Sequence, residues 1–212
     1  MDIANASLYE GGTALAEAVF MARRIKKPRK VTEENKGVAS RVLVSRAVHP
    51  MYRDVLSTYT KSAELSAHAL SINESGKTDF VKPERLPFAR EDVAAVVVQS
   101  PNFFGVVEDL AKARAYANAF NALLIVVVTE PVALGILEPP GTFGADVVVG
   151  EGQSLGCSLG FGGPYLGIFA VKKEYLLEMP GRIIGKTKEK HGDKEGFIVT
   201  LATREQHIKR EK

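Results

Sequence analysis

The chain has 212 residues, 45% of them hydrophobic, with 28 Lys and Arg against 25 Asp and Glu for a net charge of +3. That length supports one full-sized core and is short for two, so a single domain over residues 1–212 is expected. The basic excess is scattered and reads as solvated helix ends rather than a nucleic-acid footprint, the lone Cys157 excludes an internal disulfide, and no apolar run reaches the roughly 20 residues of a membrane span.

The opening residues MDIANASLYE are polar and lack the basic flank of a signal peptide, so a cytoplasmic location is expected. Asn5 and Ser7 offer N-cap chemistry ahead of a helix over 13–25, where Leu15, Ala16, Val19, Phe20 and Ala22 recur at helical spacing. Pro28 and the charged run 26–36 predict a turn, and RVLVS (41–45) a short strand. Pro50 suits the first turn of a helix reaching about residue 67, with Tyr52, Val55, Leu56 and Tyr59 on its inner stripe. A short strand over 68–72 and an irregular segment over 75–90 follow.

The second half carries a stronger signal. AAVVV (94–98) and ALLIVVV (122–128) are continuous apolar runs, the mark of parallel strands covered on both faces. The span 105–119 between them is expected to be helical, with Glu108 and Asp109 in its first turn, completing a right-handed βαβ unit. Further strands are expected at 145–149, 166–171 and 197–201, at least one antiparallel. The fold class predicted is a three-layer α/β/α domain with a mostly parallel sheet of about seven strands.

Ligands of such sheets collect beyond the carboxyl ends of the strands. The residues expected there are Asn5, Ser7, His49, Ser100, Asn102, Glu130 and Gln153, which together outline a pyridoxal-phosphate pocket: a helix N-terminus for phosphate, an imidazole to stack on the ring, a carboxylate, and a place for a lysine. Each has a plainer role: N-capping for Asn5 and Ser7, a turn histidine at His49, a solvated loop carboxylate at Glu130. Cys157 is expected to be a buried small residue rather than a reactive thiol.

The run GEGQSLGCSLGFGGPYLG (150–167) has the layout of a cofactor-lysine loop and contains no lysine. With NASLYEGGTALAEA (5–18), SRAVHPMYRDVL (45–56), VVVQSPNFFGVVED (96–109), PPGTFGADVVVGEGQSLG (139–156), PGRIIGKT (180–187) and TREQHIKREK (203–212), it resembles subunit 1 of the glycine cleavage system P-protein family across nearly the whole chain. The resemblance implies the large-domain architecture of fold-type I pyridoxal-phosphate enzymes and a longer parent chain at both ends. It implies glycine decarboxylation, with the aminomethyl group passed to the lipoyl arm of the H-protein, in a complex where subunit 1 pairs with subunit 2 and the pairs associate into a heterotetramer. Counting back from Pro164 by the family's offset puts Gln153 at the lysine position, so no catalytic residue is expected in this chain and the cofactor is expected on the partner.

Glu130 stands where the family commonly has an aspartate, and Glu74 and Asp79 would repel an anion from the loop 73–79. An autonomous pyridoxal-phosphate enzyme using Lys172 or Lys186 is the competing possibility; Lys172 and Lys173 are expected to face solvent. A nucleotide-binding module is disfavoured, because the sequence has neither a GxGxxG turn after its first strand nor a GxxxxGK[ST] loop. The closing segment, with Arg204, Glu205 and His207, reads as a solvated helix or an interface.

Overall fold

The structure, a computed structural model, describes residues 1–26, 41–63, 65–163, 165–189, 192 and 194–200. The turn expected around Pro28, the residues of 201–212 with Arg204, Glu205 and His207, and Pro164 lie outside the described residues.

The elements, in chain order, are β1 (Ile3–Ala4), α1 (Gly11–Lys26), β2 (Arg41–Ser45), α2 (Pro50–Thr60), β3 (Ser66–Leu70), β4 (Val93–Gln99), α3 (Leu110–Ala119), β5 (Leu123–Val128), β6 (Val147–Glu151), β7 (Gly167–Val171), β8 (Ile183–Lys188) and β9 (Glu195–Thr200). Seven strands form one sheet in the order β1-β7-β6-β5-β4-β2-β3. Strands β3, β2, β4, β5 and β6 are mutually parallel; β7 runs antiparallel to β6, and β1 antiparallel to β7.

The runs VAAVVVQ and LLIVVV are buried at every position, because helices cover both faces of the sheet. On one face Leu15 and Val19 of α1 and Leu56 of α2 pack over Val97, Ile125, Val127 and Val149. On the other, Ala113, Tyr116 and Ala117 of α3 pack over Val96, Val98, Leu124 and Val126. Each fully buried Val, Leu or Ile contributes about 1.5–3 kcal/mol of transfer free energy, which fixes the sheet as the rigid centre.

Three expectations are corrected. The seventh strand of the sheet is Ile3–Ala4, paired at Ile3↔Val171 and Ala4↔Ala170, and not the segment at 197–201. Residues 197–200 belong to a separate hairpin, β8–β9, whose first strand alternates half-buried and exposed residues and so lacks the double-sided burial of the central strands. Helix α2 ends at Thr60, whose hydroxyl donates back to the carbonyls of Leu56 and Ser57, and β3 starts six residues later at Ser66. Helix α3 begins at Leu110: Gly105 has φ +77, outside the helical region, and Asp109 is the N-cap, accepting from the Lys112 N–H at 2.9 Å.

At the amino end of β6 the buried Asp146 carboxylate accepts from the Leu124 N–H and pairs with Arg114 and Lys172. Arg114 also donates to the carbonyls of Gly144 and Ala122, so one guanidinium ties α3 to the starts of β5 and β6. Lys172 is therefore half-buried in an ion pair, contrary to its expected solvent-facing position. Burial by itself raises the Asp146 pKa, but hydrogen bonds from Lys172, the Leu124 N–H and Arg114 outweigh it and hold the carboxyl below its ordinary value.

A depressed folded pKa contributes stability above the unfolded value, lost as the pH falls through the folded one. Asp146→Asn should cost about 2 kcal/mol at pH 7 in urea unfolding. The gap to wild type should begin to narrow once the pH drops below the ~3.9 of an unfolded aspartate and be lost only below the still lower folded value. A gap that stays constant into acid would refute the ionic origin.

Candidate functional site

The carboxyl ends of β2, β4, β5 and β6 form a rim, and the strand order sets its contents: 46–49 after β2, 99–102 after β4, 129–130 after β5, and 151–163 after β6. The buried Gln99 side chain ties three of these segments together. Its Oε1 accepts from the His49 N–H at 2.8 Å, and its Nε2 donates to the Pro101 carbonyl at 3.0 Å and to Thr129 Oγ1 at 3.3 Å.

His49 precedes α2 with Pro50 in the first turn. Its ring lies edge-on to Phe103, centroids 5.1 Å apart, and tilted against Tyr52 at 5.5 Å. Its Nδ1 is buried and has no hydrogen-bond partner among the described residues.

Ser100 and Asn102 are buried beside the Glu108 carboxylate. Glu108, expected in the first turn of a helix, is 5% exposed and accepts from the Thr78 N–H, the Thr78 hydroxyl and Asn102 Nδ2. Ser100 Oγ accepts from the Glu108 N–H at 3.3 Å, and Asn102 Nδ2 also donates to the Gly76 carbonyl. Asn102 and Glu108 hold the loop after β3 against the loop after β4, while Ser100 braces Glu108 within the latter and borders a cleft of about 170 Å³ with Leu134 and Phe143. In the former loop Glu74 and Asp79 are exposed, while Asn73 Oδ1 organises the turn by accepting from the Ser75 and Lys77 N–H groups.

The expectation that Asn5 and Ser7 cap α1 is corrected. The N–H groups of Gly12 and Thr13 donate to the Glu10 carboxylate, and that of Gly11 donates to Glu151 Oε2 at 3.1 Å. Asn5 instead donates to the Pro180 carbonyl, and Ser7, at φ 74, lines a cavity of about 380 Å³ with Tyr9, Tyr165 and Arg182. Glu10 was not legible as a cap, because glutamate lies outside the usual Ser, Thr, Asp and Asn preference.

Glu130 is exposed and already engaged, accepting from the Val132 N–H at 3.0 Å and from Ser154 Oγ at 2.7 Å. The hydrogen bond from Ser154, then that from the Val132 N–H, lowers its pKa. That contact brings the β5 loop beside the glycine-rich loop after β6. There Gln153 donates its N–H to Glu151 Oε1 and its Nε2 to the Cys157 carbonyl at 2.6 Å. Cys157 is exposed, not buried as expected, because the loop carries it away from the sheet.

These residues do not fit a covalently held pyridoxal phosphate. Position 153 has an amide with no nucleophilic lone pair, where a Schiff base needs an amine. The α1 N–H groups that would receive a phosphate are taken by two carboxylates. The carboxylate at position 130 is solvated and capped.

Residues 1–212 match the family described as glycine cleavage system P-protein. The chain belongs to this P-protein family. It is 48% identical over 212 residues to a probable glycine dehydrogenase (decarboxylating) subunit 1 of Azorhizobium caulinodans, covering 100% of this chain and 44% of that relative. The chain thus spans less than half the length of the curated relatives it matches. The crystal structure of a glycine decarboxylase (P-protein) of the glycine cleavage system, in inhibitor-bound form, superposes with a TM-score of 0.82 at 43% identity, covering 99% of this chain and 44% of that one. A rice TDC solved with PLP and tryptamine superposes at 0.60 with 12% identity over 81% of this chain and 36% of that one; at that distance it shows the shared fold of a pyridoxal-phosphate enzyme and no more.

The two lysines considered for an autonomous pyridoxal-phosphate enzyme are placed elsewhere. Lys172 follows β7 at the amino end of the parallel strands, in its pair with Asp146, and Lys186 lies on the β8–β9 hairpin paired with Glu195. Among the described residues no group of three or more His, Cys, Asp or Glu is placed to hold a metal, and no helix is long and apolar enough to cross a membrane.

Substituting Gln153→Lys alone should not create a cofactor site. After incubation with pyridoxal phosphate and borohydride, peptide mass spectrometry should find no more label at position 153 than at ordinary exposed lysines. Selective, stoichiometric label at 153 would show that an amine was the sole missing part.

Proposed function

We propose that this chain is part of subunit 1 of a glycine dehydrogenase (decarboxylating), and that it serves the cofactor site of a lysine-bearing partner, subunit 2, rather than one of its own. The observation that carries the reading is the full-length family match combined with glutamine at position 153. Pyridoxal phosphate supplies the electron sink for glycine decarboxylation in the assembled enzyme, on the partner. The aminomethyl group then goes to the lipoyl arm of the H-protein. The whole works in the cytoplasm, with this segment as one large-domain-like unit over residues 1–212, its carboxyl-end rim and glycine-rich loop facing the partner.

What the chain's own residues do in this reading is positional. Gln99 holds three rim loops in register, and Glu10 and Glu151 fix the start of α1. The rival reading, an autonomous enzyme, has its candidate amines committed to ion pairs away from the rim, so no observation favours it.

The complete subunit, purified alone, should show no visible cofactor absorbance and no exchange of labelled bicarbonate into the glycine carboxylate. Mixed with the lysine-bearing subunit and the H-protein, it should restore exchange. A borohydride-stable pyridoxyl adduct on this polypeptide, or exchange by it alone, would overturn the assignment.

A further inference from the structure

Glu151 is the last residue of β6, paired in register with Gly167 of β7. Its half-buried carboxylate accepts three backbone donors from three segments. Oε1 takes the Gln153 N–H at 3.0 Å and the Leu166 N–H at 3.2 Å; Oε2 takes the Gly11 N–H at 3.1 Å. Gln153 and Leu166 are the two feet of the glycine-rich loop, and Gly11 is the first residue of α1.

The feet are also joined directly, by the Gly152 N–H donating to the Leu166 carbonyl at 2.7 Å. They come so close that a Cβ on Gly152 would lie 2.7 Å from the Leu166 side chain. Tyr165 N–H adds a bond to the Tyr9 carbonyl, in the segment leading into α1. Beyond this base Leu155, Leu159 and Phe161 are exposed, and Phe161 projects fully into solvent. The loop is thus fastened at its feet and unsupported at its apolar crest.

We propose that Glu151 is a positioning residue: its carboxylate clamps the base of the glycine-rich loop to the start of α1, so that the segment 152–163 is presented at a fixed height beyond the rim. The inference rests on the functional reading above, because the clamp matters to catalysis only if this loop serves the partner's site. A carboxylate suits the geometry, because both of its oxygens accept. It offers about four lone-pair sites and no donor, whereas glutamine turns one oxygen into an NH₂ that would meet an N–H head-on. Set geometry is what such a clamp supplies, and misplacing a loop at a reacting centre by about 1 Å costs on the order of a hundredfold in rate.

The test uses the complete subunit assembled with its lysine-bearing partner, carrying Glu151→Gln or Glu151→Ala. Amide hydrogen exchange is read at Gly11, Gln153 and Leu166, and kcat and KM for glycine–bicarbonate exchange are read per assembled complex. Alanine should accelerate exchange at all three amides. Glutamine, which keeps the volume and remains informative if alanine fails to fold, should accelerate it mainly at Gly11 by keeping its oxygen toward the loop feet. In both variants kcat per complex should fall at least about tenfold with KM for glycine nearly unchanged, alanine the worse.

A lowered melting temperature with kcat per complex at the wild-type level would reduce Glu151 to an ordinary structural residue and overturn the proposal. Unchanged amide exchange would overturn it too, by showing that no clamp exists. If the wild-type complex itself lacks activity, the functional reading fails, and the exchange pattern alone then decides whether the clamp stands.

Discussion

The start of α1 lies against bare backbone, and this close approach sets everything at the rim. A Cβ on Gly11 would sit 2.0 Å from the Tyr52 hydroxyl and 2.9 Å from the Gly150 backbone, and one on Gly167 would sit 2.6 Å from the Glu10 carbonyl oxygen. Only glycine allows helix and strands to meet at this distance. The reward is directional. The first N–H groups of α1 end up aimed at the end of β6, where Glu151 begins the glycine-rich loop. Those N–H groups carry the positive end of the helix dipole and attract an anion.

Glu10 and Glu151 are that anion. An anion built into the chain loses no translational freedom on binding and is present at every concentration of ligand, so it outcompetes a free phosphate for the same donors. Burial, followed by the nearby charges of Glu151 and Glu10, pushes the Tyr52 phenol far above its ordinary pKa. The α1 N–H groups at this corner already donate to two carboxylates, the reverse of what a phosphate group requires. The same economy recurs across the rim: Glu108 satisfies a turn backbone and two side chains, and Gln99 joins three loops. Each of these acceptors holds several segments, so the polar groups of the rim are spent on the fold.

Much of the sheet was legible because its signal is local and repetitive. AAVVV and ALLIVVV announce β4 and β5 without knowledge of any neighbour, and the glycine cluster announces a loop. Ile3–Ala4 could not be read, because two residues have no period; the strand exists only because β7 offers a free edge. Helix ends were misplaced where a side chain overrides the pattern, as the Thr60 hydroxyl and the Asp109 carboxylate do. The site divided in the same way. Absence of an amine at position 153 is written in the chain, whereas the partners of Glu10, Glu108 and Glu151 lie up to 140 residues away and carry no motif. The resemblance to the P-protein family came from the order of many short runs, a signal available without any of these contacts.

The two ends of the sheet hold unlike groups for a physical reason. At the amino end, Asp146 is paired with full cations in a partly buried setting, where charge-assisted bonds are strong and geometry is forgiving. At the carboxyl end the donors are backbone N–H groups, which fix direction to a narrow cone and cannot drift as a lysine does. From Gly167 to Val171, β7 spans roughly 3.3 Å per residue, so an amine at Lys172 lies the length of a strand away from the rim. Moving it to the rim would leave the buried Asp146 charge with Arg114 as its remaining cation and would gain no carboxylate or phosphate cradle. Among the described residues, Lys172 and Lys186 are thus held by their ion pairs away from the rim, and the donors at the rim are backbone N–H groups already matched to carboxylates.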